Sequence, residues 1–458
     1  MNKAIVLALA VLVSVPLAFS AIITNTNQSV GYFRLLARNA SLDIDAVYYN
    51  PAGLVKLSDG FHLALHNQTI WQDKTITNDF PMLNAHEYVG KIRVPFFPNF
   101  YAVYKSGPLA LSFGFGPNGG GGKADYATGL PEFETGISGL PTMLSLMGLP
   151  TTKYSTDINF NGNSLYLGFQ VNASYALSDM FSVAVGVRYI SAENTYSGAI
   201  ANVMVNPVFP AFGLTGQMIP AAQLFAMIGQ PGYAALFANK SVDVEQSGTG
   251  FTPILGFMAT PMEGLVLTLR YEFNTKLELT NKTTQDDTKA LYPPSGLFPD
   301  GAKTHNDIPA LLALGVSYAI IPELRAHVSY TLTFDKNANW DGREKLVDSN
   351  AYDLAFGLEF DLIKSLTISA GYMRTSYHFL PGYQTDMSYA LPATTIGAGL
   401  LWKMNDQFSV DLGLINVNYD ADQKSIPYFL GAIPLGNFLE HYKETTLGIG
   451  VGINYHIK

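Results

Sequence analysis

The sequence predicts an all-β protein: a transmembrane antiparallel β-barrel of about 14 strands with an N-terminal plug inside the lumen. Three observations support this fold class. Segments of roughly ten residues that alternate between apolar and polar side chains recur along the chain. Short and long connections between these segments alternate along the chain, as in a barrel with tight turns at one rim and long loops at the other. A compact irregular segment precedes the first strand, which is where a plug is expected.

The composition fits a strand-rich protein whose outer surface meets an apolar medium. Only 14% of the 458 residues are charged, whereas the chain holds 42 Gly, 26 Tyr and 28 Phe. The absence of cysteine excludes disulfides and thiolate metal sites, and a net charge of −9 argues against a nucleic-acid partner. The eight histidines lack metal-ligand spacing and no G-x-S-x-G motif occurs, so we expect no metal, no cofactor and no enzyme activity.

Residues 1–20 have the pattern of a cleaved signal peptide. Lys3 supplies a positive charge, Ala4–Leu17 is apolar, and cleavage is expected after Ser20, where small residues occur. The alternative is a membrane anchor, but the apolar run is shorter than the ~20 residues that a spanning helix needs. Together with the barrel pattern, this predicts export to the outer membrane of a Gram-negative cell.

Residues 21–57 are the predicted plug. Within them, Leu42–Leu54 neither alternates like a strand nor shows the 3.6-residue period of a helix. The pair Asn50-Pro51 favours a turn, because proline biases the preceding residue away from the helical conformation. From residue 58 to 458 the chain becomes one amphipathic strand after another, with no linker to a further domain.

The strands are predicted from alternation and turn residues. In the final strand, Leu447, Ile449, Val451 and Ile453 share one face, and glycine or polar residues occupy the other. We expect strands near 60–72, 95–105, 109–116, 162–177, 181–197, 242–260, 265–277, 308–319, 324–334, 352–361, 366–375, 392–403, 408–418 and 443–458. The longest predicted extracellular loops are 116–160, 198–240 and 278–306.

Charged residues in the middle of these strands fall on the face that does not meet lipid. Arg188, Arg270, Glu359 and Asp411 all alternate with the apolar residues of their strands. An arginine on the lipid face near the bilayer centre would cost about 2–4 kcal/mol, so this segregation favours a membrane barrel. Two roles stay open: a lattice of Arg–Glu pairs that holds strands and plug, or recognition of a ligand carboxylate by Arg188 or Arg270.

The long loops are unusually apolar for surface loops. Two stretches, Gly139–Leu149 and Ile219–Ile228, have the composition of short helices. A contiguous exposed apolar patch usually marks a binding site. Either these helices form a groove that collects amphipathic molecules, or they pack on each other and cap the barrel. The candidate groove residues are Leu144, Met147, Leu224, Phe225 and Met227.

A glycine-rich stretch begins in the third predicted strand. Gly114, Gly116 and Pro117 lie in it. Glycine inside a strand marks bulges and bends, and proline cannot donate to a ladder. The alternatives are a kink that opens the wall to lipid and an ordinary strand end that continues into a flexible loop.

The motif Asn50-Pro51-Ala52, within a plug-like segment ahead of an exported barrel with apolar loops, carries a family resemblance. On these features, residues 21–458 resemble the FadL/TodX family of outer-membrane transporters of long-chain fatty acids and other hydrophobic compounds. The resemblance implies a barrel of about 14 strands closed by a hatch that carries Asn50, Pro51 and Ala52. It also implies ligand capture by outer loops, an internal apolar pocket and a sideways exit at a kinked early strand. The last residue, Lys458, departs from the terminal aromatic residue of many such barrels, and Tyr455 is the nearest substitute.

The expected function is passive uptake of long-chain fatty acids or similar hydrophobic compounds. The ligand would be captured by the outer loops, held in the lumen and released past the plug, with a lateral exit as one route. Affinity would come from apolar burial, at about 25 cal/mol per Å². The expected partners are the hydrophobic ligand, outer-membrane lipid and the barrel-assembly machinery. The alternatives are a porin-like channel for polar solutes, a barrel enzyme and a structural outer-membrane protein.

Overall fold

The computed structural model describes residues 26–430 and 433–457 of the chain. The predicted signal peptide (residues 1–20), the first residues of the predicted plug (21–25) and Lys458 lie outside this part. Among the helices in the described residues, none is both long enough and apolar enough to cross a membrane.

Fourteen long strands in the described residues form one closed antiparallel barrel, as the sequence predicts. The first strand closes the wall by pairing with the last, with Phe61 opposite Ile457. Numbered here in chain order, the wall strands are β1 (Gly60–Asn78), β2 (Glu87–Ser106), β3 (Leu109–Tyr126), β4 (Tyr154–Ala176), β5 (Phe181–Val205), β6 (Lys240–Met262), β7 (Leu265–Glu272), β8 (Leu311–Ile321), β9 (Leu324–Thr333), β10 (Val347–Ile363), β11 (Leu366–Phe379), β12 (Ala393–Lys403), β13 (Phe408–Tyr419) and β14 (Ile433–Ile457).

Shorter elements make up the plug and the outer loops. The plug holds α1 (Val30–Arg34), α2 (Ala46–Tyr49) and a 3-10 helix (Pro51–Lys56). The outer loops hold α3 (Pro131–Ser138), α4 (Leu140–Leu146), α5 (Ala221–Met227), α6 (Pro231–Leu236) and the 3-10 helices Pro210–Phe212, Thr288–Ala290, Asp335–Asn337 and Arg343–Leu346. They also hold the strands Val208–Phe209, Leu214–Thr215, Ile219–Pro220, Glu278–Asp286, Lys303–His305 and Asp422–Leu430.

Several strands reach further outward than the sequence indicates. β4 begins at Tyr154 and β5 ends at Val205, whereas the prediction gives 162–177 and 181–197 for this hairpin. The prediction followed apolar alternation, which ends where the wall leaves the apolar band, but the backbone ladder continues through polar residues. Strand structure therefore occupies the ends of the predicted loops 116–160 and 198–240 and part of the predicted loop 278–306.

The two faces of the wall have opposite chemistry. Outward side chains such as Leu65, Val185 and Ile453 are apolar and 51–59% exposed, whereas Arg188 and Arg270 point inward and are buried. Apolar surface of this extent is costly in water, at about 25 cal/mol per Å². The outer face of the wall is therefore suited to the hydrocarbon core of a membrane.

Candidate functional site

The described part of the plug, residues 26–57, lies inside the barrel. Phe33, Val47 and Ala52 are fully buried and share one apolar core with side chains of the wall. Glycine on the wall makes this contact feasible, because a Cβ atom at Gly413 would lie 2.6 Å from the Phe33 Cβ. A larger residue at that position would force the plug and the wall apart.

The Asn50-Pro51-Ala52 motif forms a turn between α2 and the 3-10 helix of the plug. The Asn50 Nδ2 donates to the Ser41 carbonyl at 3.0 Å, and the Asn50 carbonyl accepts from the Gly53 N–H at 2.8 Å. Pro51 takes the first position of the 3-10 helix, where its missing N–H removes no bond. A Cβ atom at Gly53 would lie 2.3 Å from Asn50 Nδ2. The turn therefore depends on the glycine as well as on the motif.

Side chains of β4 to β7 donate hydrogen bonds to plug carbonyls around this turn. The Val47 carbonyl accepts from Gln170 Nε2 at 2.8 Å and from Asn172 Nδ2 at 3.1 Å. The other donor–carbonyl pairs are Ser174 to Pro51 and Ser182 to Ala52, both at 2.7 Å, and Arg270 to Tyr48. Because the acceptors are backbone groups, the wall holds the path of the chain through the turn.

Arg34 connects the first helix of the plug to strands β10, β11 and β13, across the barrel from β4 to β7. The side chain is almost completely buried. Its guanidinium donates to Asp411 Oδ1 at 2.8 Å, to Ser369 Oγ at 3.2 Å and to Glu359 on the wall, and to Asp43 Oδ2 at 3.2 Å on the plug. This arrangement is an ion-pair network between plug and wall, of the lattice kind considered from the sequence.

Arg188 and Arg270 lie near the ring of Tyr48, with guanidinium carbons 4.7 and 4.8 Å from its centre. All three nitrogens of Arg188 are engaged: they donate to both carboxylate oxygens of Glu272, at 2.7 and 2.8 Å, and to Gln170 Oε1. Arg270 is 4% exposed, yet its Nε has no hydrogen-bond partner in the described residues. Of the two candidate arginines, Arg270 is therefore the one with an open donor.

Arg270 lines a small cavity between the plug and the wall. Its volume is about 30 Å³, and Tyr32 and Tyr48 of the plug and Asp353 and Met373 of the wall also line it. A cavity needs roughly 10–15 Å³ to hold one water molecule. In this conformation it has room for a polar group of one or two heavy atoms and none for a long apolar tail.

The hydrogen-bond ladder of the wall is interrupted between β2 and β3. Phe100 pairs with Phe115 and Ile92 pairs with Ala124, but no residue of the stretch 93–99 pairs with β3. Across this stretch β3 stays attached to β4 through two register shifts. The wall is therefore open on one side of β3 only.

Prolines and glycines account for this interruption. Pro95 and Pro98 on β2 and Pro117 on β3 lack the N–H that a ladder requires. Gly116 and Pro117, two of the predicted kink residues, lie in the interruption. Gly114, the third, lies just before it and still pairs with β2.

The plug residue Gln28 occupies the interruption. Its Nε2 donates to the Pro117 carbonyl at 2.7 Å, and its Oε1 accepts from Asn99 Nδ2 at 3.4 Å. The Tyr101 hydroxyl donates to the Gln28 carbonyl at 2.5 Å. A Cβ atom at Gly116 would lie 2.2 Å from Asn99 Nδ2, so a larger residue there would displace the Asn99 side chain from the bridge. One plug side chain thus joins β2 and β3 where their ladder is missing.

The apolar outer loops pack on one another in this structure. Leu144, Leu224 and Phe225 are fully buried in one cluster, Met147 packs against it, and Met227 is 38% exposed. The helices thus form a cap, and a ligand would reach the three buried side chains only after the helices separate. A separate apolar crevice of about 50 Å³ is lined by Phe133, Phe160, Ile200, Leu291 and Leu297.

Histidines line a second cavity, of about 870 Å³, between the plug and the rim of short turns. The rings of His62 and His456 stack with centres 4.2 Å apart, and His66 Nδ1 accepts from the Val30 N–H at 3.2 Å. His66 therefore positions the start of α1. Within the described ranges, no cluster of His, Asp or Glu side chains is arranged to hold a metal ion.

Carboxyl groups from separate outer segments meet above the barrel. The Glu132 N–H donates to Asp386 Oδ2 at 2.8 Å, and Glu440 accepts from Asn78 Nδ2 at 2.9 Å. Burial raises the pKa of Glu132 to about 7; Lys424 opposes this shift and Glu440 adds to it. Burial, followed by the charge of Glu440, raises the pKa of Asp386 well above its ordinary value.

The replacement Arg34→Met is expected to loosen the plug. It leaves Glu359 and Asp411 buried without this cation, which costs about 3–5 kcal/mol for a broken buried pair. Faster hydrogen exchange in residues 26–57 and a higher ion conductance in planar bilayers are the expected readouts. As a control, Lys303→Met removes an exposed ion pair with Glu278 in an outer loop and should change neither. Unchanged exchange in the Arg34 variant would contradict an anchoring role.

Raising the pH from about 5 to about 8 is expected to loosen the contact between the outer loops. A carboxyl whose pKa is raised by folding stabilises the folded loops while protonated, and this contribution is lost as the pH rises from its ordinary 4.5 through about 7 for Glu132. Limited proteolysis of residues 127–153 and 380–392 should accelerate accordingly. Glu132→Gln should flatten this dependence, whereas replacement of the exposed Glu193 by Gln should preserve it. Equal cleavage at both pH values would show that these carboxyls do not control the loops.

Comparison with known proteins places the chain among barrels of one architecture. No protein-family model and no curated protein sequence matches it. A FadL homologue from Pseudomonas aeruginosa superposes with a TM-score of 0.65 at 13% identity, over 96% of this chain and 100% of its own. The toluene transporter TodX from P. putida gives 0.56 at 12% identity, over 91% of this chain and 94% of its own. The monoaromatic hydrocarbon channel CymD gives 0.52 at 12% identity, over 95% and 97%.

These likenesses extend over nearly the whole of each chain, although few residues are identical. They agree with the closed wall of fourteen strands and with the N-terminal segment inside it. The chain therefore has the fold of the FadL and TodX barrels.

Proposed function

We propose that the protein is an outer-membrane channel for the passive uptake of hydrophobic compounds, with long-chain fatty acids as one class of ligand. The observation that carries this proposal is the interruption between β2 and β3, which the plug residue Gln28 bridges. A gap in a membrane-facing wall is of no use to a polar solute, because it leads into hydrocarbon. A hydrophobic solute gains free energy by leaving through it.

The functions of proteins with similar structures also support transport of hydrophobic compounds. TodX is a toluene transporter, and CymD is a monoaromatic hydrocarbon channel. We take from them the transport of a hydrophobic solute without chemical change. Such transport runs down a concentration gradient and needs neither a cofactor nor a catalytic group.

We infer a route with three stages. The apolar crevice lined by Phe133, Phe160 and Leu297 receives the ligand from outside. If α4 and α5 separate, Leu144, Met147, Leu224, Phe225 and Met227 add capture surface. Arg270 meets the polar end of the ligand between the plug and the wall, and the ligand leaves past Gln28 into the membrane.

The plug residues of the motif have a different task in this proposal. Asn50, Pro51 and Ala52 form the part of the plug that the wall grips by its backbone. They stay fixed to the wall as an anchor while the residues near Gln28 move. Gly116 and Pro117 lie where β3 is unpaired with β2, so that the exit exists when Gln28 withdraws, and Gly114, which pairs with Tyr101, lies at its edge.

Protein purified in a mild detergent is expected to carry a hydrophobic ligand. Solvent extraction and mass spectrometry would identify it, and a fluorescent fatty acid should be displaced by hydrophobic competitors. In planar bilayers the plugged barrel should pass almost no steady ion current. An empty protein that shows no displacement and conducts ions steadily would support the porin-like alternative instead. An empty protein without conductance would favour a structural role.

The replacement Gln28→Leu is expected to open the exit. It keeps the approximate size of the side chain but removes the bonds to the Pro117 carbonyl and Asn99, each worth about 1 kcal/mol. Hydrogen exchange in residues 116–123 should accelerate several-fold, and cells that express the variant should take up a labelled hydrophobic compound faster. As a control, Gln217→Leu alters an exposed loop residue and should affect neither. Exchange that matches the unmodified protein would mean that Gln28 does not close the gap.

A further inference from the structure

The cavity between plug and wall holds a hydrogen-bond donor that has no partner. The Arg270 guanidinium is almost wholly buried, and its Nε–H finds no acceptor among the described residues. A guanidinium only donates hydrogen bonds, so an acceptor must come from whatever enters the cavity. A buried donor without a partner is unfavourable, and this favours occupancy by a polar group.

The same cavity holds an acceptor without a cation. Asp353 on β10 accepts from Thr375 Oγ1 at 2.6 Å, and no basic side chain of the described residues lies within ion-pair distance of its carboxyl group. Arg270 and Asp353 both line the cavity. The polar group that enters therefore finds both a cationic donor and a carboxylate among the residues that line the cavity.

We propose that the preferred ligands are hydrophobic compounds that end in a hydroxyl group, such as alkylphenols and long-chain alcohols, rather than free carboxylates. This inference rests on the proposed function and specifies its ligand. A hydroxyl accepts from the Arg270 Nε–H and donates to Asp353, which satisfies both groups at once. A carboxylate accepts from Arg270 but brings a second negative charge next to Asp353, and like charges at close range repel each other.

The size and the surroundings of the cavity agree with this assignment. About 30 Å³ accommodates a hydroxyl group. Leu36 and Met373 border the same space, and the apolar part of the ligand that follows the hydroxyl contacts them once the plug shifts and widens the cavity. An alkane or an arene without a polar end makes those contacts but leaves Arg270 and Asp353 unsatisfied.

The test compares two ligands that differ only at the polar end. Binding of para-hexylphenol and of para-hexylbenzoate is measured by isothermal titration near neutral pH, with the full barrel in lipid nanodiscs and empty nanodiscs as the blank. The phenol is expected to bind about tenfold more tightly, as one satisfied polar contact predicts. Equal affinity, or tighter binding of the benzoate, would overturn the inference while leaving the proposed function intact. Binding of neither ligand would count against the proposed function itself.

Two variants assign the preference to these residues. Asp353→Asn keeps the acceptor oxygen but removes the charge, so the benzoate should gain about tenfold in affinity while the phenol changes little. Arg270→Met removes the donor and should weaken the phenol by about tenfold. Thermal unfolding of each variant shows whether the barrel is intact. If Asp353→Asn changes both affinities by the same factor, Asp353 does not select the head group and the inference fails.

Discussion

In the wall of a membrane protein every backbone N–H and C=O must find its partner within the protein, because hydrocarbon offers none and an unsatisfied group costs several kcal/mol. The rest of this structure depends on that constraint. In the described residues, thirteen of the fourteen strand junctions meet it with a ladder broken only by local register shifts, and the junction between β2 and β3 meets it by other means. There, prolines remove donors, and Gln28 supplies a side-chain amide to the Pro117 carbonyl. The plug is thus also a part of the wall.

The plug is held in two different ways, and the difference bears on how it would move. Around Asn50 the wall donates to main-chain carbonyls, which ties down the path of the backbone. At Arg34 the attachment is by charge, through a side chain shared among carboxylates of both the wall and the plug. Residues 26–33 carry no charged side chain, and wall side chains hold them by hydrogen bonds, such as that from the Tyr101 hydroxyl to the Gln28 carbonyl. In the proposed uptake route, the first residues of the plug exchange these hydrogen bonds while the turn at Asn50 keeps its position.

Much of the fold could be predicted from the sequence because a strand wall has a period of two and a strict separation of faces. The strand number, the inward direction of Arg188 and Arg270, and the burial of Glu359 and Asp411 all follow from that rule. The plug has no such period, so nothing in the sequence distinguished Arg34 or Gln28 from their neighbours. The choice between Arg188 and Arg270 depends on which guanidinium nitrogens find acceptors in the folded chain, because both arginines lie within ion-pair distance of Glu272 and the Arg270 Nε lacks a partner in the described residues. Likewise, the apolar composition of the loops left open whether Leu144, Leu224 and Phe225 line a groove or pack on each other, because the two arrangements have the same composition.

The length of β4 and β5 has a consequence for the position of the entrance. β5 contains 25 residues, which at about 3.3 Å per residue gives roughly 80 Å of strand, or nearly 60 Å of height at a tilt of about 45°. The apolar band of such a barrel is about 25 Å tall, so the hairpin rises some 30 Å above it. The outer opening of the barrel therefore lies well above the lipid headgroups. In the proposed uptake route, a hydrophobic compound from the medium contacts the protein before it reaches the charged membrane surface.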